Sequence, residues 1–337
     1  MADVSAHERL FSMIYGYAAV KAVSVAARLG IADLLAEGER PVAELAEATG
    51  ADADTLGRLL ATLANLEVLE RRGPDRYALN ELSELLRSDT PGSLRASAIF
   101  YGEVGYRVWG ELEHAVRAGE AAAPRAVGAD LYRYLAEHPD LGGTWDGLMV
   151  DTQRSWLIAR GSLESYDWER ASCWVDVGGG RGVLMAEILR RHPGLRGVVF
   201  DQPHVVAGAP DILAEAGVAD RCAVVGGDFL DGVPSGDGHL LVRVLFNWPD
   251  EGALRILRAC RRAAAPGGRL LVIEPLSLPW DQPARSQVGD LNNFLMFGGR
   301  TRTLAEHTGL LAEAGFDVVR TAELPRGYDL IEAVPAG

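Results

Sequence analysis

The chain has 337 residues, 48% of them hydrophobic and 24% charged, with a net charge of −14. That length suits two domains or one large domain with an appendage, and the negative balance argues against nucleic acid and anionic membranes as partners. No run approaches the ~18 uninterrupted apolar residues of a membrane span, and three scattered cysteines with seven histidines lacking ligand spacing leave no expected metal or disulfide framework.

The first residues, MADVSAHERLF, carry Asp3 and Glu8 where a secretory leader would be basic and then apolar, so the expected location is cytoplasmic. Residues 6–36 read as a largely apolar helical stretch with few charges to solvate it, a surface that calls for burial or a partner subunit. PVAELAEATG is a short helix ending at Gly50, and ADADTLGRLLATLANLEVLERR is a longer one with leucines at helical spacing. GPDRYAL then reads as a turn between short strands. Helix, helix, hairpin is a winged-helix pattern. A DNA-reading helix should present basic residues, whereas 51–73 holds Asp52, Asp54, Glu67 and Glu70 against three arginines. The expected role is structural or dimerising.

From 94 to 170 the pattern is helical and aromatic-rich, and from 171 it changes. SCWVDVG, RGVVFD, RCAVVGGDF, HLLVRVLF and RLLVIEP read as strands alternating with helices, the rhythm of a parallel, doubly wound α/β sheet. The tail GFDVVRTAELPRGYDLIEAV adds two strands on a short connection, hence antiparallel. The domain plan is 1–95 helical and winged, 96–170 a helical linker near the substrate, and 171–337 a Rossmann-like catalytic domain.

WVDVGGGRG runs a strand into Gly178, Gly179 and Gly180, where a ligand can approach the backbone ahead of a helix N-terminus. Asp201 closes the next strand about 20 residues on, the place of a carboxylate that holds a ribose diol. A dinucleotide fingerprint would want a third glycine where Val183 stands. GGDF offers Asp228 to an adenine amine and Phe229 to its ring. S-adenosylmethionine is favoured over a nicotinamide.

With DVGGGRG, GGDF, LVRVLFNWPDEGALRIL, PGGRLLVIE and DLNNFLMFGGRTRT on the page, the chain resembles, nearly end to end, the bacterial small-molecule O-methyltransferases related to plant caffeate and flavonoid O-methyltransferases. The resemblance implies an S-adenosylmethionine-dependent enzyme, releasing S-adenosylhomocysteine, that works as an intertwined homodimer on an aromatic small molecule. It places Gly178, Gly179, Gly180, Asp201, Asp228, Phe229, Arg243 and Trp248 at the cofactor. It places Trp145, Met149, Phe246, Asn292, Asn293, Phe294 and Met296 at the acceptor. Tyr101, Tyr106, Trp109, Trp145 and Met149 have helix packing as their plainer reading, and Asn292 and Asn293 have turn or cap duty.

One departure concerns chemistry. Where the family pattern reads His-Asp/Asn-Trp, with the histidine as base, this chain reads Phe246-Asn247-Trp248. Glu274 keeps the first of two flanking glutamates, and Thr301 stands in place of the second. A general base contributes ~10²–10⁴-fold, and ionising a phenol of pKa ~10 at pH 7 costs about 4 kcal/mol. In-line positioning can supply roughly 7–11 kcal/mol. Methyl transfer therefore survives the loss by proximity, with Asn247 and Glu274 as the remaining catalytic candidates. Two other readings stay open on sequence alone: an enzyme that binds S-adenosylmethionine without transferring its methyl, such as a hydroxylase or pericyclase, and a ligand-sensing regulator.

Overall fold

Packing in the computed structural model, which describes residues 5–154, 162–276, 285–324 and 327–337 (side chains of 162 and 285–287 excepted), divides the chain into two units. One is Met1–Arg107 with Pro139–Asp151, the other Val108–His138 with Thr152–Gly337. The helical span between 96 and 170 is thus shared between them, and its stretch 155–161 lies outside the described residues.

The first unit follows its leucine pattern. In the helix Ala53–Asn65, Leu56, Leu60 and Leu63 recur every three or four residues and all three are buried. They close on Ile31, Leu35, Leu45 and Tyr77. Asp52 caps this helix by accepting the Thr55 N–H at 2.9 Å, a contact whose loss costs about 1 kcal/mol. The preceding helix, Val42–Thr49, stops at Gly50, whose φ of 67° a side chain would resist. Strands β2 (Glu70–Arg71) and β3 (Arg76–Ala78) form the expected hairpin, and β1 (Arg40–Pro41), which includes the proline read as helical, adds a third strand in the antiparallel order β1-β3-β2. The apolar N-terminal stretch folds as Ala6–Ile14, Gly16–Arg28 and Ile31–Leu34. Among the described residues no single helix is long and apolar enough to cross a membrane; the first two together pass on length and composition but are bent by 44°.

The second unit is built on seven strands. They are β4 (Cys173–Val177), β5 (Arg196–Asp201), β6 (Cys222–Gly226), β7 (Gly236–Val242), β8 (Ala264–Pro275), β9 (Phe316–Leu324) and β10 (Tyr328–Pro335), in the order β6-β5-β4-β7-β8-β10-β9. β4 to β8 are parallel, and β10 is antiparallel to both β8 and β9. Side chains alternate between two cores: Leu240, Leu271 and Ile273 pack on one face, Leu241, Leu270 and Val272 on the other. A strand buried on both faces needs such continuous apolar runs, and each leucine removed from water contributes about 1.5–3 kcal/mol.

The strand read from HLLVRVLF is shorter than its apolar run. It ends at Val242, because Arg243 takes a φ of 57° and Leu245–Asn247 turn as a 3₁₀ segment. From β4 the chain winds outward through β5 and β6, then returns to lay β7 on the other side of β4. The reversal lies between β4 and β7, where a doubly wound sheet opens a crevice at its C-terminal edge.

Candidate active site

Two segments meet at that crevice: the turn after β4 and the loop after β7. In the turn, Gly178, Gly180 and Gly182 all have positive φ (75°, 60° and 76°). Phe200 O accepts the N–H groups of Gly178 and Gly179 at 2.8 and 3.2 Å. Asp201 Oδ2 accepts the Gly180 N–H at 2.8 Å, and Asp201 Oδ1 accepts the Gln202 N–H at 2.7 Å. The carboxylate expected at a ribose is therefore also the clasp of the glycine turn.

A Cβ on Gly178 would fall 2.8 Å from Val244 Cγ2 and 3.7 Å from Phe229 Cε1, so the turn lies directly against the loop and the GGDF phenylalanine. Beside Gly180 the same construction meets nothing within 4 Å among the described residues. A left-handed, open backbone behind a fixed carboxylate fits an adenosyl ligand. Asp228 itself caps a turn, its Oδ1 accepting the Leu230 N–H at 2.8 Å.

The loop carries Arg243 and Trp248, expected at the cofactor, together with Phe246 and Asn247, expected at the acceptor. Trp248 stacks nearly parallel to Tyr132 at 6.2 Å between centroids and meets Phe229 edge-on at 5.7 Å. Asn247 Nδ2 donates to Tyr132 Oη at 2.9 Å and to Arg243 O at 3.5 Å. A carbonyl only accepts, so the amide orientation is set and Oδ1 is left buried with no partner among the described residues. The Arg243 guanidinium lies 5.7 Å over the Phe246 ring, its Nε likewise buried without a partner. Burial first, and then the Asp201 charge, push the Tyr132 phenol up, so it is a hydroxyl and no base.

Glu274, at the end of β8, lies wholly buried beneath this loop. Its Oε1 accepts the Phe246 N–H at 3.1 Å, and its Oε2 faces His307 Nε2 at 3.6 Å. Burial pushes the Glu274 carboxyl up to about 7. Burial, then the Arg302 charge, push His307 down to about 4. Asn293 Nδ2 donates to Phe246 O, and Trp109 Nε1 donates to Asn292 Oδ1 at 2.9 Å. These two amides sit on the helix Arg285–Phe297, not in a turn or a cap. Phe294 on the same helix is half-buried and Met296 is buried. The Thr301 N–H donates to Asp290 Oδ1.

The structure thus gathers Gly178, Asp201, Phe229, Arg243, Phe246, Asn247, Trp248, Glu274 and Asn293 in linked contacts at one edge of the sheet. Trp145 and Met149 belong to the other unit, where Trp145 packs on Phe100 at 4.8 Å. Four residues of the site escaped sequence reasoning. No motif in the sequence marks Tyr132, His307 or Arg302. Asp176 carried the one legible signal, a carboxylate inside the apolar strand CWVDV. It is buried, its Oδ2 has no partner among the described residues, and burial followed by the Asp201 charge push it up to about 7.

Two family models match the chain: an O-methyltransferase domain over residues 109–317 and an O-methyltransferase dimerisation domain over 11–89. The chain belongs to the O-methyltransferase family. It is 39% identical to a phenazine O-methyltransferase of Lysobacter antibioticus, over 97% of this chain and 95% of that one. It is 40% identical to a 3-amino-4-hydroxybenzoate 4-O-methyltransferase of Streptomyces cremeus, over 98% and 90%. Among solved structures it is similar to an O-methyltransferase from neocarzinostatin biosynthesis, in complex with S-adenosylmethionine and 2-hydroxy-5-methyl naphthoic acid. The TM-score is 0.83 at 35% identity, covering 94% of this chain and 96% of that one. The cofactor of this O-methyltransferase is S-adenosylmethionine, as the resemblance implied.

Proposed function

We propose that this O-methyltransferase methylates a hydroxyl on an aromatic or enolic small molecule in natural-product biosynthesis, by orientation and desolvation without a histidine base. The observation that supports it is the loop after β7, where Glu274 holds the Phe246 N–H and the run 243–249 contains no histidine. S-adenosylmethionine supplies an electrophilic methyl on a sulfonium whose leaving group departs neutral. Everything else falls to this chain. The turn Gly178–Gly180 and Asp201 hold the cofactor's methionine and ribose portions, and Phe229, Asp228, Arg243 and Trp248 hold the rest. Asn247 Oδ1, buried and without a partner among the described residues, accepts a hydrogen bond from the acceptor molecule, while Phe246, Phe294 and Met296 pack against its rings.

The substrate class follows the relatives, whose named acceptors are phenazines, an aminohydroxybenzoate and a naphthoic acid. We further infer a cytoplasmic homodimer assembled through the N-terminal segment, the part matched by the dimerisation model. Incubation with hydroxylated aromatic acids and phenazines in the presence of methyl-labelled S-adenosylmethionine tests the reading. The expected product carries the labelled methyl on oxygen. An unlabelled product that is hydroxylated or rearranged would replace transfer by one of the non-methylating chemistries.

A further inference from the structure

We propose that Arg302 is a positioning residue for methyl transfer, a buried cation that sets the shape of the loop bearing Phe246 and Asn247. The inference rests on the function proposed above.

Arg302 is wholly inaccessible to solvent. Removing a guanidinium from water is expensive unless its donors are well matched. Only Asp250 among the described residues offers it a carboxylate, accepting from Nε at 2.8 Å, and Asp250 is itself half-exposed. The terminal nitrogens, one of which also lies 2.7 Å from Asp250 Oδ1, reach the loop backbone as well. One terminal nitrogen donates to Leu245 O at 3.0 Å and the other to Trp248 O at 2.8 Å. Leu245 and Trp248 bracket Phe246 and Asn247, so one rigid planar fork spans the two residues that face chemistry.

Neighbouring contacts complete the hold. Glu274 takes the Phe246 N–H and Asn293 donates to the Phe246 carbonyl. Gly299 passes so close that a Cβ there would collide with Phe246 O and the Asn247 backbone. Arg302 is anchored in turn, because Thr303 begins the helix Leu304–Glu313 with a reciprocal cap to Glu306. A stabilising ion pair would not need two loop carbonyls at a fixed separation. An enzyme that depends on orientation does, since small misplacements of a positioned group cost large factors in rate.

Arg302→Lys tests this, because an ammonium can reach one carbonyl but cannot fork between two. Turnover should fall at least about 30-fold, with acceptor KM and S-adenosylhomocysteine Kd each within about threefold of wild type. Amide exchange of the 243–249 segment should accelerate at least about tenfold. Should Arg302→Lys not fold, Asp250→Asn frees one edge of the same fork and is expected to show the same pattern, several-fold in kcat. Unchanged exchange, or a loss confined to KM or to Tm, overturns the proposal. A wild-type chain that transfers no methyl group overturns the functional reading and with it Arg302's part in transfer. Exchange in Arg302→Lys then reports the hold on the loop independently.

Discussion

Asn247 donates its side-chain N–H to the phenol oxygen of Tyr132 at 2.9 Å, across 115 residues of sequence. The bond determines which face of the amide remains for a ligand. With Nδ2 engaged, only Oδ1 can meet an acceptor molecule, and it can only accept. Tyr132 is held from two further sides, by Trp248 at 6.2 Å and Phe297 at 5.0 Å. Tyr132→Phe therefore releases the amide, and Asn247→Ala removes it. We expect kcat losses of about 3–10-fold and about 10–100-fold respectively. The double variant should resemble Asn247→Ala alone, because contacting residues couple by about 0.5–3 kcal/mol. Additive losses in steady-state kinetics would show that Tyr132 does not act through Asn247.

Asp201 clasps the glycine turn, and the proposed function gives it the cofactor's ribose as well. Its bonds to the N–H groups of Gly180 and Gln202 mean that Asp201→Ala loses a charge-assisted acceptor and also loosens the turn. Titration calorimetry with S-adenosylhomocysteine should show affinity weakened at least roughly tenfold, with Asp201→Asn intermediate. Unchanged affinity in the alanine variant would reject the ribose assignment.

Much of this was legible beforehand, and the reason is local. The α/β rhythm, the wing and the glycine turn are written in short segments: apolar runs, Gly50, and the sequence from Asp176 to Gly182 leading to Asp201. Asp201 could be placed by its distance along the chain because a single crossover joins β4 to β5. What could not be read was long-range. Nothing in DLYRYL marks Tyr132 as the partner of Asn247, and nothing in GGRTRT marks Arg302 as buried under a loop 57 residues away. The early stop of β7 was hidden too, since Arg243 in a left-handed conformation is rare for a side chain of its size and leaves no compositional trace.

Asp176 makes stability depend on pH. Its carboxyl rises from an ordinary 3.8 to about 7 on folding, through burial and then Asp201. A raised folded pKa means the contribution is fully present below about 3.8 and is lost as pH rises through about 7. Asp176→Asn carries no such charge. Its Tm relative to wild type should climb between pH 4 and pH 7 and level off above. A difference that is flat across that window in scanning calorimetry would mean Asp176 is already ionised in the fold.

The N-terminal helices give the assembly state a direct test. In one chain, Leu10, Phe11, Met13 and Ile14 are 60%, 53%, 75% and 59% exposed. Contiguous apolar surface of this kind marks an interface. Light scattering should give twice the 36.1 kDa of one chain, and Phe11→Glu with Met13→Glu should shift the mass toward the monomer. A wild-type mass near 36.1 kDa at micromolar concentration would contradict the dimer.

Phe246 is the position at which the proposed proximity mechanism is tested. If positioning carries the reaction, the substrate supplies its own ionisation, and the rate should rise with pH along the acceptor's pKa. Two acceptors of different acidity should then show limbs displaced by that difference. Phe246→His would restore a base in name, but the surroundings do not serve one. Glu274 Oε1 is occupied by the backbone N–H of residue 246, and Oε2 faces His307. The Arg243 guanidinium, 5.7 Å over the ring, would depress an imidazole's pKa further. We expect a changed pH profile with less than about a tenfold gain in kcat, and for Phe246→Ala a raised acceptor KM from lost packing. A limb that stays at one pH with every acceptor and vanishes when a histidine of this chain is replaced would reveal a base elsewhere. One that stays near 7 and vanishes in Glu274→Gln would assign the role to that carboxyl. Either result would replace proximity by general-base catalysis.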